Sequence, residues 1–136
     1  MLAHLIKPGT AALLLALGFA AVAQAQSLSP MENSGTTPST VKGFKLTIGN
    51  PYKTRMTFLI QPMDAQFKTR LLDAEVNFPQ LTMAPGYSRQ VIVTFPIDPQ
   101  RKERTIGVCV VPKDLAGPVL PRVCGRYTGK LLGAAG

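Results

Sequence analysis

Two cysteines, Cys109 and Cys124, are the residues in this sequence whose chemistry is easiest to define. A redox dithiol normally has the spacing Cys-x-x-Cys, and these two are much farther apart. A structural zinc site needs four ligands, so two further donors would have to be found. Two cysteines in an exported chain most simply form a disulfide. We therefore predict a Cys109–Cys124 disulfide, with a free or intermolecular thiol as the alternative.

Other catalytic chemistry has little support, because the only histidine, His4, lies in the N-terminal segment that we expect to be removed. Its loss excludes Ser-His-Asp and Cys-His nucleophile systems and every zinc site with a histidine ligand. The carboxylates that remain are candidates by type alone: Asp64, Asp73, Glu75 and Asp98. Asp73 and Glu75 would share a face of a strand, but such pairs are usually solvated. We predict no catalytic residues, no metal, no cofactor and no enzymatic activity.

The N-terminal segment has the three parts of a secretory signal peptide. Lys7 precedes an apolar run at residues 11–22, and Ala23-Gln24-Ala25 has the small-x-small pattern of a cleavage site. The apolar run would rise about 18 Å as a helix, whereas a bilayer core measures roughly 30 Å. We predict a signal peptide at residues 1–25, a single domain at residues 26–136, and a periplasmic or secreted location.

The chain is basic, with a formal net charge of +8. An exported basic domain can attract anionic surfaces, so we expect contacts of that kind. Nucleic acid is not an expected partner, because basic and aromatic residues do not alternate. The densest basic run, residues 101–104, is predicted to be a solvated loop tip. No membrane span is expected after the signal peptide.

Beyond the signal peptide, apolar residues recur with period two. Phe44, Leu46 and Ile48 alternate with polar residues, as do the triplets 56/58/60 and 91/93/95. This alternation is typical of strands with one buried face. The chain has 12 prolines, most of them between these runs, which argues against a helical bundle. Residues 32–40 read as a polar loop, and residues 64–76 fit a helical turn or a ragged strand equally well.

These elements predict an all-β domain of about seven short strands, an immunoglobulin-like antiparallel sandwich. A small barrel is the alternative. If Ile106, Val108 and Val110 face the core, Cys109 points outward, and the same parity places Cys124 on the outer face of the next strand. The disulfide would then join two neighbouring strands and contribute about 3 kcal/mol in the chain-entropy model.

Four stretches together resemble the N-terminal domain of the PapD-like periplasmic pilus chaperones. They are LSPM from residue 28, KLTIGNPYKTRMTF from residue 45, LTMAPGYSRQVIVTF from residue 81 and RKERTIGVCV from residue 101. The resemblance implies a single-domain variant of an immunoglobulin-like chaperone. It also implies β-strand addition, in which an edge strand pairs with a partner. The matching edge strand would carry Val123, Arg126, Tyr127, Thr128 and Lys130.

The resemblance has clear departures at the proposed edge strand and near the N-terminus. Gly125 and Gly129 fall in the alternating row of that strand and weaken it. The SLSPMEN stretch has no arginine or lysine to match the arginine that the family carries on its first strand, and Lys130 matches the family's lysine by position only.

We therefore expect an exported, non-enzymatic protein-binding module, a chaperone-like accessory to pilus or envelope assembly. Its partner would be another exported protein, such as a pilin-like subunit. The alternative is a structural surface protein or minor pilus-like component that donates residues 27–41 as a strand.

Overall fold

The computed structural model describes residues 25–114 and 121–133. The predicted signal peptide lies outside these residues, as does part of the loop between the two cysteines. The described residues contain no helix, and therefore none able to span a membrane. They form nine strands: β1 Ser27–Ser29, β2 Glu32–Thr37, β3 Val41–Gly49, β4 Met56–Met63, β5 Glu75–Val76, β6 Gln80–Met83, β7 Ser88–Pro96, β8 Glu103–Pro112 and β9 Val123–Leu131.

The strands form two sheets packed face to face. The first sheet has the order β1-β3-β7-β5, and the second has the order β2-β9-β8-β4-β6. Neighbouring strands are antiparallel except for β2 and β9, which run parallel. The predicted all-β immunoglobulin-like sandwich is confirmed, and the barrel alternative is not found. The described residues form nine strands rather than about seven, because the short β1, β2 and β5 are strands only through their pairing with β3, β9 and β7.

The core contains the residues that the period-two pattern places inside. Phe44, Leu46 and Ile48 of β3 are at most 5% exposed. The inward residues of the other long strands are buried with them: Phe58, Ile60, Val91, Val93, Phe95, Ile106, Val108, Val110 and Tyr127. The Phe44 ring lies 5.7 Å from the Tyr127 ring and 6.1 Å from the Phe95 ring, so aromatic packing joins the two sheets.

The N-terminal stretch of the domain belongs to both sheets. β1 pairs with β3 in the first sheet, and the chain then crosses at the cis peptide bond Ser29–Pro30 to enter the second sheet as β2. The hydroxyl of Tyr127 donates a hydrogen bond of 2.6 Å to the Pro30 carbonyl oxygen. Burial raises the pKa of Tyr127 to about 12, so this hydroxyl keeps its proton and remains a donor.

The structure of one segment contradicts the sequence prediction, and the structure of another settles a choice between helix and strand that the sequence left open. The prediction of a loop at residues 32–40 is wrong for Glu32–Thr37, since this stretch forms β2 by backbone pairing with β9. Residues 64–76 form neither a helix nor a long strand. They contain a bridge between Met63 and Arg70 and end in the two-residue β5.

Candidate functional site: the outer edge of the second sheet

The predicted disulfide is confirmed. Cys109 and Cys124 are register partners on β8 and β9, with an S–S distance of 2.11 Å and a Cα–Cα distance of 4.1 Å. The bond lies on the outer face of the second sheet, because Val108 and Val110 on either side of Cys109 point into the core. Cys109 is nevertheless fully buried, at 0% exposure.

Residues 64–70, which we call the clasp, lie over this outer face. A Cβ atom placed on Gly107 would overlap the Phe67 ring, so the glycine makes room for the clasp. Arg126 Nε donates to the Ala65 carbonyl oxygen at 2.7 Å, and its guanidinium lies 4.6 Å from the Phe67 ring centroid. Arg122 donates to the Phe67 carbonyl oxygen at 3.1 Å. These contacts attach the clasp to β9.

The clasp has its own internal support. Asp64 accepts hydrogen bonds from the backbone N–H groups of Lys68 and Thr69 at 2.7 and 3.2 Å. The bond from the Lys68 N–H lowers the pKa of Asp64 below its ordinary value. Phe67 has a φ of 60°, in the left-handed region that non-glycine residues seldom occupy. The contacts of its ring with the sheet hold this conformation.

β9 is present as a strand, but the prediction that it forms a free edge is wrong. It lies between β8 and β2, and β2 pairs with it from Arg126 to Leu131. Three of the residues predicted to lie on a free edge are instead buried or half-buried within the domain. Tyr127 is in the core, Thr128 shares a 2.7 Å hydrogen bond with Thr105, and Val123 is half-buried. Of the predicted set, only Arg126 and Lys130 are exposed.

The second sheet instead ends at β2, whose outer edge is unpaired in the described part of the chain. The Met31 carbonyl oxygen accepts from the Arg126 N–H at 2.9 Å, and the Thr37 carbonyl oxygen accepts from the Leu132 N–H at 2.7 Å. Odd-numbered residues therefore direct their backbone groups toward β9. By alternation, the even-numbered residues 32, 34 and 36 direct theirs outward.

β2 is also the longest edge strand, with six residues against three in β1, two in β5 and four in β6. It has no proline or lysine, the residues that commonly protect edges from pairing. Its one charged residue is Glu32. The outward N–H of Ser34 meets only the side chain of Asn33, at 2.9 Å.

A gap in the inner layer lies behind this edge. Gly35 of β2 and Gly129 of β9 are register partners. The side chain of Lys42, from an inward position on β3, occupies the space that the two glycines leave. Its amino group lies 4.8 Å from the Phe44 ring centroid. Of these two glycines, the sequence analysis had singled out only Gly129, which we interpreted as weakening the strand.

The candidate carboxylates do not form a catalytic pair. Both oxygens of Asp73 accept hydrogen bonds from the Arg104 guanidinium, at 2.8 and 3.0 Å. These bonds lower the pKa of Asp73, which suits an ion pair rather than a general acid. A surface concavity includes Asp73 and Asp98, but Arg101 and Arg104 line it too.

The prediction for the basic run is wrong in part, since Arg104 belongs to β8 and is half-buried. Among residues 25–114 and 121–133, no three histidine, cysteine or acidic side chains are grouped as metal ligands would be.

Several solved structures with a similar fold are pilus chaperones. The Salmonella enterica SafB chaperone, solved with the SafA pilin, matches with a TM-score of 0.68 at 13% identity over 86% of this chain and 59% of that one. The Escherichia coli chaperone DraB matches with a TM-score of 0.66 at 15% identity, over 82% and 58%. An MSP-domain-like protein of Caenorhabditis elegans, SSP-19, matches with a TM-score of 0.54 at 10% identity, over 76% and 98%.

The chain thus spans less than two thirds of either chaperone. No family model and no curated protein matches the sequence.

Proposed function

We propose that this chain, which has the fold of the N-terminal domain of PapD-like pilus chaperones, is an exported module that binds another exported protein by β-strand addition. The observation that carries the proposal is the unpaired edge of β2, six residues long and without a protecting lysine or proline. Strand addition needs a row of free backbone N–H and C=O groups, which residues 32, 34 and 36 supply.

The role that suits this edge is a chaperone-like accessory in pilus or envelope assembly. SafB, whose fold this chain shares, was solved in complex with a pilin. A pilin-like subunit is therefore the class of partner that we propose, and the periplasm or the cell exterior is the location. The location follows from the signal peptide predicted at residues 1–25.

The alternative of a strand-donating surface component has less support. It required residues 27–41 to be available for donation to another subunit. Leu28 of that segment is buried in the core, and β1 and β2 are paired within the two sheets of the same domain. The segment would have to leave its own domain before it could be donated, at the cost of those pairings.

The test is photo-crosslinking in the envelope of cells that export the protein. A photoreactive residue replaces Thr36 on β2 or, as a matched control, Thr82 on β6. Both are exposed threonines on edge strands of the second sheet. We expect one discrete adduct from position 36 and none from position 82. Adducts from position 82 alone, or from neither position in a folded protein, would overturn the proposal.

A second variant separates pairing from mere proximity. Ser34→Pro removes an N–H that points away from β9, so the β2–β9 pairing is kept while the outer edge loses a donor. We expect the adduct from position 36 to disappear in this variant. An undiminished adduct would show that the partner contacts β2 without pairing with it.

A further inference from the structure

The side chain of Lys42 is unusual among the inward residues of β3. The even-numbered positions of this strand carry Phe44, Leu46 and Ile48, all of them core residues. Lys42 continues the same inward row and is half-buried. A charged group in such a position is costly unless it reaches solvent or a partner.

The path of this side chain is set by the two paired glycines. A Cβ atom on Gly129 would lie 2.9 Å from both Cβ and Cγ of Lys42, so the stem crosses over Gly129. A Cβ atom on Gly35 would lie 3.1 Å from Cε and 3.2 Å from Nζ. The stem therefore runs beneath β9, and the amino group ends beneath β2, the strand with the free edge.

The amino group has no acidic partner in the described part of the chain. The one ion pair there joins Arg104 to Asp73. Nζ lies 4.8 Å from the centroid of the Phe44 ring. This cation–π contact holds the ammonium group in position but does not neutralise its charge. The positive charge thus stands at the seam between the two sheets.

We propose that this seam is a carboxylate subsite, in which Lys42 receives an acidic side chain of the strand that adds to β2. This inference rests on the proposed function. A residue opposite Gly35 on an added strand would have its Cβ about 5 Å from the Gly35 position and would point to the same face. Because Gly35 has no side chain, the path from that residue to Nζ is open.

The chemistry of the partner follows from this placement. Aspartate, glutamate and the chain terminus are the anionic groups of an unmodified polypeptide strand. Glutamate has the reach to cross from the added strand to Nζ. The net charge of +8 on the whole chain favours an acidic partner as well. The partner is therefore an extended segment with one carboxylate on its inward face.

The experiment compares two short peptides of alternating valine and threonine that differ only by glutamate or glutamine at the central inward position. Binding to the uniformly ¹⁵N-labelled mature protein is followed through the amide signals of Ser34 and Thr36. We expect the glutamate peptide to bind about tenfold more tightly, the effect of one charge-assisted hydrogen bond.

Two lysine variants test whether Lys42 causes the preference for the glutamate peptide. Lys42→Met keeps the stem over Gly129 and removes the charge, and we expect it to bind both peptides equally. Lys45→Met is the matched control, since Lys45 is exposed on the opposite face of the same strand. It should keep the full preference for glutamate. Equal affinity of the wild-type protein for both peptides, with Ser34 and Thr36 shifted, would overturn the subsite and leave strand addition intact.

A small carboxylate tests the subsite without a strand. Glutarate should shift the side-chain signals of Lys42 in the wild-type protein and leave those of Lys45 unchanged. If the peptides shift neither Ser34 nor Thr36 while glutarate shifts Lys42, strand addition fails and the carboxylate subsite stands. If neither probe has any effect, both proposals are wrong.

Discussion

The two halves of β9 have opposite surroundings. Around residues 122–125 the strand is cross-linked to β8 by the disulfide and covered by the clasp. From Arg126 to Leu131 it is flanked by β2, whose far side is open, and Gly129 leaves space that Lys42 fills. Arg122, just before the strand, and Arg126, at the boundary between the halves, donate hydrogen bonds to carbonyl oxygens of the clasp. The amino group of Lys42, which reaches from β3 past Gly129, has no acidic partner in the described residues.

We infer that one half of β9 stabilises the domain and that the other half lies beside the binding edge. Cross-links, buried cysteine and cation–carbonyl contacts stabilise the domain at one end. Unpaired backbone groups and an uncompensated charge lie at the other end, where stability can be given up for binding. We therefore expect substitutions in the first half to lower the free energy of unfolding, and substitutions at the β2 edge to lower only the affinity for the partner.

Removal of the disulfide should have the largest effect. We expect Cys109→Ala combined with Cys124→Ala to lower the free energy of unfolding by about 3 kcal/mol, because the unfolded chain is no longer constrained. Denaturant unfolding of the mature protein measures this, and the wild-type protein under reducing conditions should behave in the same way. A loss below about 1 kcal/mol would mean that the clasp alone holds this half together.

Opening of the clasp should have the next largest effect. Phe67→Ala removes the ring that covers Gly107, and we expect a loss of about 1.5 kcal/mol. We also expect faster reduction of the disulfide by dithiothreitol, because Cys109 becomes accessible. Phe78→Ala is the matched control, since Phe78 also stacks with an arginine, Arg89 at 4.5 Å, but follows β5 of the first sheet. Equal reduction rates in the two variants would contradict a covering role for the clasp.

Tyr127→Phe should lower the free energy of unfolding by about 1 kcal/mol, because the partly buried Pro30 carbonyl oxygen loses its donor. Tyr87→Phe, at a 68% exposed position, should cost nothing measurable.

The same tyrosine predicts a pH dependence. The folded pKa of Tyr127 is raised to about 12, so the unfolded chain releases this proton first as the pH rises. Stability is therefore complete below the ordinary tyrosine pKa and falls as the pH rises through the folded value. The Phe variant should lack this component in a pH series of unfolding curves.

The smallest change in stability is expected at the β2 edge. Ser34→Pro should alter the free energy of unfolding by less than about 0.5 kcal/mol, because the N–H that it removes makes no hydrogen bond to β9 and proline is accepted on the outer side of an edge strand. Its effect should instead appear as loss of peptide binding in the NMR titration described above. A large loss of stability would show that Ser34 contributes to the β2–β9 pairing, and the contrast between the two halves of β9 would fail.

The sequence predicted best what depends on local alternation. The inward row of Phe44, Leu46 and Ile48 and the outward direction of Cys109 both follow from period two, which each strand sets for itself. The cysteine pairing needed one further step, the expectation that an exported chain oxidises its thiols. These features required no knowledge of which strands lie side by side.

What the sequence did not predict depends on distant partners. Residues 32–37 have no apolar alternation, and they form a strand because β9 provides backbone partners. Whether β9 is an edge depends on that same pairing. Gly125 and Gly129 read as weak points, yet the first accommodates the Tyr127 hydroxyl and the second the Lys42 stem. Glycine marks a close approach, but its sequence position does not say which group approaches.

The parallel pairing of β2 with β9 also constrains when the domain can form. In chain order, β2 is the first strand of the second sheet, and its backbone partner is β9, the last strand of the described chain. Glu32 of β2 lies opposite Arg126 of β9. Pairings so distant in sequence form late and slowly, because a large loop must close first. The second sheet therefore stays incomplete until β9 has been synthesised. In the export that we propose, this delay would leave the second sheet incomplete while the chain crosses the membrane.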